Sequence, residues 1–125
     1  TTVFVAFFAA GFLVTLFVSN AIKLLTKIPR PSNSLINVLT FSFPSNHAAV
    51  SAAVFSLIIF CFHDIIKNKN KRRLFIIANI LAIFFVGFTR IYFSVHKFSE
   101  VIAGYALGVM VLSVLILIFR ESKSP

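Results

Sequence analysis

The chain has 125 residues, of which 59% are apolar and 17 are Phe, and this excludes an ordinary soluble domain, which needs a largely polar surface. Its formal net charge is +9, from 12 basic and 3 acidic residues. The basic residues lie in the gaps between apolar runs, as in membrane proteins, and not in one stripe on a soluble fold, so no nucleic acid partner is expected.

Four apolar runs dominate the sequence, at residues 3–22, 48–66, 74–88 and 101–119. Three of them contain 19 or 20 residues, enough for a helix to cross a hydrocarbon core of about 30 Å. Because backbone groups in lipid must be satisfied within the chain, the runs are predicted to be helices. Gly87, Gly104 and Gly108 are expected to allow close packing between them. The predicted fold class is an all-α integral membrane helical bundle with four transmembrane helices, forming a single domain over residues 1–125.

The first connection, residues 23–47, contains three of the four prolines and is predicted to be a loop with a short interfacial helix near residues 34–39. Lys23 ends the first helix, where the helix dipole favours a cation. Arg30 lies between two prolines, so its guanidinium is presented from a stiff, extended segment suited to bidentate phosphate binding. The alternative is that both cations simply extend to lipid headgroups.

The second run is preceded by Pro44 and Ser45, which predict the start of a helix. Ser45 is a good N-cap residue, and the free N–H groups of the first helical turn form an anion site. His47 would lie within that turn, close to a bound anion. The alternative is an ordinary capped helix with an interfacial histidine.

The second connection, residues 67–73, reads KNKNKRR and predicts the orientation in the membrane. We call the side that carries residues 23–47 and 89–100 side A, and the opposite side, with residues 67–73 and the C-terminus, side B. Side B holds seven basic residues against five on side A. Three of those five, Lys23, Arg30 and Arg90, have a plausible role in anion binding. The positive-inside rule therefore places side B in the cytoplasm and side A outside. His63 and Asp64, on side B, are interpreted as helix-end residues.

The third connection contains His96 and Glu100, whose i, i+4 spacing would put them on one face of a helix. A carboxylate bonded to one ring nitrogen fixes the tautomer and leaves the other nitrogen as a nucleophile. Arg90 would point about 240° away from His96 on a straight helix. If they converge, the helix must break around residues 92–95. The alternative is a surface ion pair between His96 and Glu100.

Metal chemistry is not expected on side A. A two-metal phosphatase needs several carboxylates, whereas side A offers only Glu100. Two histidines and this carboxylate could in principle hold zinc, but the surrounding cations would oppose it. No cofactor is therefore expected.

Taken together, these segments resemble the type 2 phosphatidic acid phosphatase family, which is related to vanadium haloperoxidases and glucose-6-phosphatase. The family pattern is K-x6-RP, then PSGH, then SR-x5-H-x3-D. The matching segments, in the same order and with the same internal spacings, are Lys23-x6-Arg30-Pro31, Pro44-Ser45-Asn46-His47 and Thr89-Arg90-x5-His96-x3-Glu100. Members of the family usually have five or six transmembrane helices, so one or two N-terminal helices are expected to be missing from this catalytic part.

The resemblance implies a role for each matching residue. His96 would attack phosphorus and form a phosphohistidine, Glu100 would orient it, and His47 would protonate the leaving oxygen and later activate water. The phosphate oxygens would be held by Lys23, Arg30, Arg90, Ser45 and Asn46, with nearby backbone N–H groups. The sequence departs from the family pattern at three positions: Asn46 replaces Gly, Thr89 replaces Ser and Glu100 replaces Asp.

The sequence thus predicts a metal-independent lipid phosphatase in a bacterial plasma membrane, with its site facing the periplasm or exterior. Candidate substrates are undecaprenyl diphosphate, phosphatidylglycerophosphate, phosphatidic acid and a lipid A phosphate, held among membrane lipids. One alternative is a lipid phosphotransferase with the same phosphohistidine. Another is a non-catalytic subunit that retains the fold and binds partners in a membrane complex.

Overall fold

The computed structural model describes residues 2–123, which form four long helices joined by irregular segments, with no strand in that range. The helices are α1 (Thr2–Thr26), α2 (Asn46–Phe62), α3 (Lys69–Tyr92) and α4 (Phe98–Lys123), and a 3₁₀ turn, His63–Ile65, follows α2. All four are long and apolar enough to cross a membrane. The predicted helices are confirmed, and each is extended at one or both ends by polar residues that the hydropathy pattern left in the connections.

The predicted short helix near residues 34–39 is wrong, because that segment is irregular in the structure. Its backbone is bonded to distant parts of the chain instead of to itself. The Leu35 N–H donates to the Phe93 carbonyl at 2.9 Å, and the Ser42 N–H donates to the Ile28 carbonyl at 2.8 Å. The loop is therefore fastened across side A by backbone hydrogen bonds to two distant segments.

The helix α2 lies at the centre of the bundle and packs against each of the other three helices. Its buried side chains are small, so neighbouring backbones can approach closely; Ala48, Ala49, Ala52 and Ala53 are at most 1% exposed. On α4, a Cβ added at Gly104 would lie 2.6 Å from the Ser45 carbonyl oxygen. The predicted role of the glycines in close packing is confirmed, and this packing fixes the α2 N-terminus against α4.

The buried face of α1 is a stripe at four-residue spacing, made of Gly11, Thr15, Ser19 and Lys23. Such spacing places residues on one face of a helix. The stripe ends with a charged residue at side A, where Lys23 is only 3% exposed. Packing of α1 on the bundle thereby directs an ammonium group into the protein instead of into the headgroup region.

Gly108→Ala is expected to destabilise the bundle, because the added Cβ would lie 2.2 Å from the Ala49 carbonyl oxygen and force α2 and α4 apart. We expect a loss of about 1–3 kcal/mol, the usual cost of overpacking. Gly11→Ala is the matched control, since its Cβ would meet nothing closer than Leu57 Cδ2 at 3.6 Å. Thermal unfolding in detergent measures both variants. Equal unfolding temperatures for the two would contradict the close packing.

Candidate active site

The three polar segments converge at side A because of how the helices begin and end there. The C-terminal ends of α1 and α3 and the N-terminal ends of α2 and α4 all lie on this side. The Ser45 N–H donates to the Glu100 carbonyl at 3.2 Å, which joins the starts of α2 and α4. The loop from residue 27 to residue 45 covers the space between these ends.

The helix break predicted between Arg90 and His96 is confirmed. The helix α3 ends at Tyr92, Ser94 takes a positive φ of 55°, and α4 begins at Phe98. The Val95 N–H returns to the Arg90 carbonyl at 3.2 Å, which closes a tight turn. This turn brings His96 back over the end of α3, so Arg90 and His96 can face the same space despite their spacing.

His96 lies in this turn and is 4% exposed. Its Nε2 lies 3.0 Å from the Nη1 atom of Arg30. A guanidinium group can only donate, so Nε2 must accept and carries a lone pair; the ring proton is then assigned to Nδ1. Burial, with the positive charges of Arg30 and Lys23, lowers the pKa of His96 to about 4, although the Glu100 charge acts in the opposite direction. The ring is therefore uncharged at neutral pH, with the Nε2 lone pair directed at Arg30.

Glu100 faces the other side of the same ring. Its Oε1 lies 3.5 Å from His96 Nδ1, beyond ordinary hydrogen-bond length but close enough to stabilise a charge on the ring. The two residues do not share a helical face as predicted, because His96 precedes α4 and only Glu100 lies in its first turn. The pair is 2–3% exposed at its side chains, so the predicted alternative of a surface ion pair is wrong.

Arg30 is fixed by the loop and by the turn around His96. Its Nε donates to the Thr40 carbonyl at 2.9 Å and its Nη2 to Thr40 Oγ1 at 2.9 Å. Its Nη1 also donates to the Val95 carbonyl at 3.0 Å. The guanidinium is thus oriented by Thr40 and Val95, with its Nη1 atom directed at the histidine.

Lys23 is held by two backbone carbonyls of the loop. Its Nζ donates to the Phe41 carbonyl at 2.8 Å and to the Pro44 carbonyl at 2.7 Å. An ammonium group has three donors, so one remains for an anion. Electrostatic interaction links Lys23 with Arg30, Glu100 and His96, which places it in the same cluster.

His47 lies in the first turn of α2, as predicted, and is exposed. The predicted N-cap is confirmed, since Ser45 Oγ accepts a hydrogen bond from the Ala48 N–H at 3.3 Å. Electrostatic interaction joins His47 to Arg90, Arg30 and Lys23. The Arg90 Nε is buried and has no hydrogen-bond partner among the described residues. This orphaned donor, beside an exposed histidine and a helix N-terminus, suits an anionic ligand.

The side chain of Asn46, predicted to help hold phosphate, is engaged with α1. Its Oδ1 accepts a hydrogen bond from Ser19 Oγ, and its Nδ2 donates to Asn20 Oδ1 at 3.2 Å. The residue at this departure from the family pattern therefore ties α1 to the start of α2. Its backbone N–H and the second N–H of Nδ2 are left to take part in the anion site at the N-terminus of the helix.

An apolar groove of about 580 Å³ opens beside His47. It runs along the bundle between the central helix and its neighbours, with Asn46 and His47 at the polar end and Phe12, Leu16, Val54 and Val86 among the lining residues. A ligand with a phosphate at His47 could place a hydrocarbon chain in this groove without leaving the membrane.

Two residues that hold the site were not found from the sequence. Thr40 orients Arg30, and Ser42 donates from its Oγ to Glu100 Oε1. Both lie in the loop, and no motif or periodicity marks them. Within residues 2–123, no three His, Cys, Asp or Glu side chains gather as a metal-binding group.

This sequence matches the PAP2 superfamily over residues 4–124. It is 35% identical to phosphatidylglycerophosphatase B of Bacillus subtilis (strain 168) over 78 aligned residues. The aligned stretch makes up 61% of this chain and 38% of that protein. The fold is similar to the crystal structure of a transmembrane PAP2 type phosphatidylglycerolphosphate phosphatase from Bacillus subtilis, with a TM-score of 0.82 and 24% identity, over 94% of this chain and 59% of that one. This chain thus spans less than two thirds of either protein. The fold is that of an integral membrane helical bundle.

Proposed function

Because this chain belongs to the PAP2 superfamily, we propose that it is a membrane lipid phosphatase that transfers a phosphoryl group first to His96 and then to water. The observation that carries the proposal is the state of His96. It is buried, neutral, and has its Nε2 lone pair directed at an arginine within a cluster of cations. A neutral imidazole among positive charges is suited to attack an anionic phosphorus centre.

In the first step, a phosphate group enters the cluster and takes up its free donors. These are the remaining Lys23 proton, the Arg90 Nε–H and the N–H groups of Asn46 and His47 at the start of α2. Arg30 transfers its hydrogen bond from Nε2 to a phosphate oxygen, which exposes the lone pair. Nε2 forms a bond to phosphorus, the bond from phosphorus to the lipid oxygen breaks, and that oxygen receives a proton from His47.

In the second step, water attacks the phosphohistidine. His47, left unprotonated by the first step, accepts a proton from the water as its oxygen bonds to phosphorus. The bond from phosphorus to Nε2 breaks, and inorganic phosphate leaves. While the phosphoryl group is attached, the ring carries positive charge on its Nδ1 side, and the Glu100 carboxylate stabilises that charge across 3.5 Å.

A lipid substrate is supported by the groove beside His47. The leaving oxygen is the atom that His47 would protonate, so the remainder of the leaving group lies on the His47 side of the phosphate. An apolar groove opens there, between helices that cross the membrane. Among lipid phosphates, phosphatidylglycerophosphate is the first choice because the curated relative from Bacillus subtilis is named for it. Undecaprenyl diphosphate and phosphatidic acid also combine a phosphate group with a hydrocarbon chain that could lie in the groove.

Phosphate release from a panel of lipid phosphates tests the function. The protein in detergent is expected to release inorganic phosphate from phosphatidylglycerophosphate, with smaller rates for phosphatidic acid and undecaprenyl diphosphate. Activity is expected to survive EDTA, because the proposed donors to the phosphate are cationic side chains and N–H groups. Release from no lipid in the panel would reject the phosphatase and favour a non-catalytic subunit. Release that stops with EDTA and returns with a divalent cation would reject the mechanism.

The orientation of the site is tested by labelling in intact cells. We propose that side A faces the exterior, because removing the three site cations leaves the basic residues mainly on side B. Asn37→Cys and Asn70→Cys, each in a Cys61→Ala background, place one thiol in an exposed position on each side. A membrane-impermeant thiol reagent is expected to label the position 37 variant only. Labelling of the position 70 variant alone would reverse the orientation.

A further inference from the structure

Ser42 is a fully buried residue in the loop before α2, and it is fastened at both backbone and side chain. Its exposed fraction is 0%. Its N–H donates to the Ile28 carbonyl at 2.8 Å, and its Oγ donates to Glu100 Oε1, which is 58 residues away in sequence. A serine that is buried and bonded in this way can act only through the group that it contacts.

That group is the carboxylate oxygen that faces His96. Oε1 of Glu100 accepts from Ser42 Oγ and from the Lys97 N–H, the latter at 2.8 Å, and lies 3.5 Å from His96 Nδ1. The Lys97 contact is local, because it comes from a residue next to His96. The Ser42 contact is the one that reaches this oxygen from a separate part of the fold.

A glutamate needs such support more than an aspartate would. Its side chain has one more rotatable bond, and each immobilised side chain costs conformational entropy. With both donors in place, Oε1 is held at one point beside the ring. Without Ser42, only the local Lys97 donor would restrain the carboxylate, and the oxygen would be free to turn away from Nδ1.

We propose that Ser42 is a positioning residue for phosphoryl transfer, holding the Glu100 carboxylate against the Nδ1 side of His96. The proposal rests on the function proposed above. The loop would then orient the catalytic pair as well as the cations. The same segment already holds Arg30 through Thr40, and it holds Lys23 through the Phe41 and Pro44 carbonyls.

Ser42→Ala is expected to lower kcat by about 10- to 100-fold, the range found when a hydrogen-bond partner that orients a metal-bound histidine is removed. KM is expected to stay within about twofold, because Ser42 does not touch the substrate in this arrangement. Thr15→Ala is the matched control. Thr15 is also 0% exposed, but its hydroxyl donates to the Gly11 carbonyl of its own helix, away from the site, so kcat should not change.

A double-mutant cycle separates positioning from a general loss of stability. In a Glu100→Gln background, Ser42→Ala should cost little further kcat, because the two residues act through one contact. Ser42→Cys keeps the shape and weakens the donor, so its kcat should lie between those of wild type and Ser42→Ala. An unchanged kcat in Ser42→Ala, or an equal loss with and without Glu100, would overturn the proposal.

Nitrogen NMR of protein labelled with ¹⁵N-histidine tests the positioning without turnover. The ring shifts of His96, assigned with His47→Gln and His63→Gln, should report the Nδ1-protonated tautomer in both proteins, because Arg30 holds Nε2 as an acceptor. The Nδ1 shift should move in Ser42→Ala, because the Glu100 carboxylate is no longer held beside that nitrogen. Identical His96 shifts in both proteins would reject the role of Ser42. If the wild type releases no phosphate from any lipid while the His96 Nδ1 shift still depends on Ser42, the proposed function fails and the contact itself stands.

Discussion

His96→Ala is expected to abolish phosphate release, with a fall of at least about 10⁴-fold in kcat, the scale seen when a nucleophile is removed. Of the three histidines, only His96 is buried in the cation cluster with a ring nitrogen accepting from an arginine. His47 is exposed at the start of α2, and its proposed task is proton transfer.

The control for this variant is His63→Ala. His63 lies at the opposite end of the bundle, where its ring contacts the Ile59 carbonyl at 2.8 Å and Asp64 at 3.0 Å. It should retain wild-type kcat. Brief reaction followed by alkaline quench, which preserves phosphohistidine, should detect phosphoenzyme in wild type and His63→Ala but not in His96→Ala. Turnover by His96→Ala within tenfold of wild type would exclude His96 as the nucleophile.

The helices and the gathering of the motifs could be predicted from the sequence for simple reasons. Apolar runs in lipid must be helical, and their ends are marked by charges, prolines and an N-cap residue. The break between Arg90 and His96 followed from helical periodicity, since a straight helix would have separated the two side chains. These arguments use only local geometry, and the structure bears them out.

The residues that hold the site could not be predicted, because their contacts are distant in sequence. Ser42 and Thr40 look like ordinary loop residues, and only the closed fold brings Ser42 to Glu100, 58 positions away. The predicted helix at residues 34–39 failed for the same reason. In the structure that segment is irregular and is bonded across side A, where the Leu35 N–H donates to the Phe93 carbonyl. The structural role of Asn46, which replaces the Gly of the family pattern, could not be predicted either, because it consists of contacts with the α1 helix.

His47→Ala is expected to lower kcat for a lipid phosphate by about 10²- to 10⁴-fold, the usual contribution of a general acid–base residue. The loss should depend on the leaving group. A lipid alkoxide needs a proton to leave, whereas the nitrophenolate of p-nitrophenyl phosphate does not. With the aryl phosphate, His47→Ala should therefore still form phosphohistidine on His96 at nearly the wild-type rate.

The second step still needs a base to activate water, so the phosphoenzyme of this variant should accumulate. Stopped-flow absorbance should then show a burst of nitrophenolate equal to the amount of active enzyme, followed by slow turnover. With the lipid substrate the same variant should show no burst of released lipid alcohol, because its first step is the slow one. A loss of equal size for both substrates, without a burst, would mean that His47 only helps to bind phosphate, and the proton for the leaving oxygen would have to come from another group.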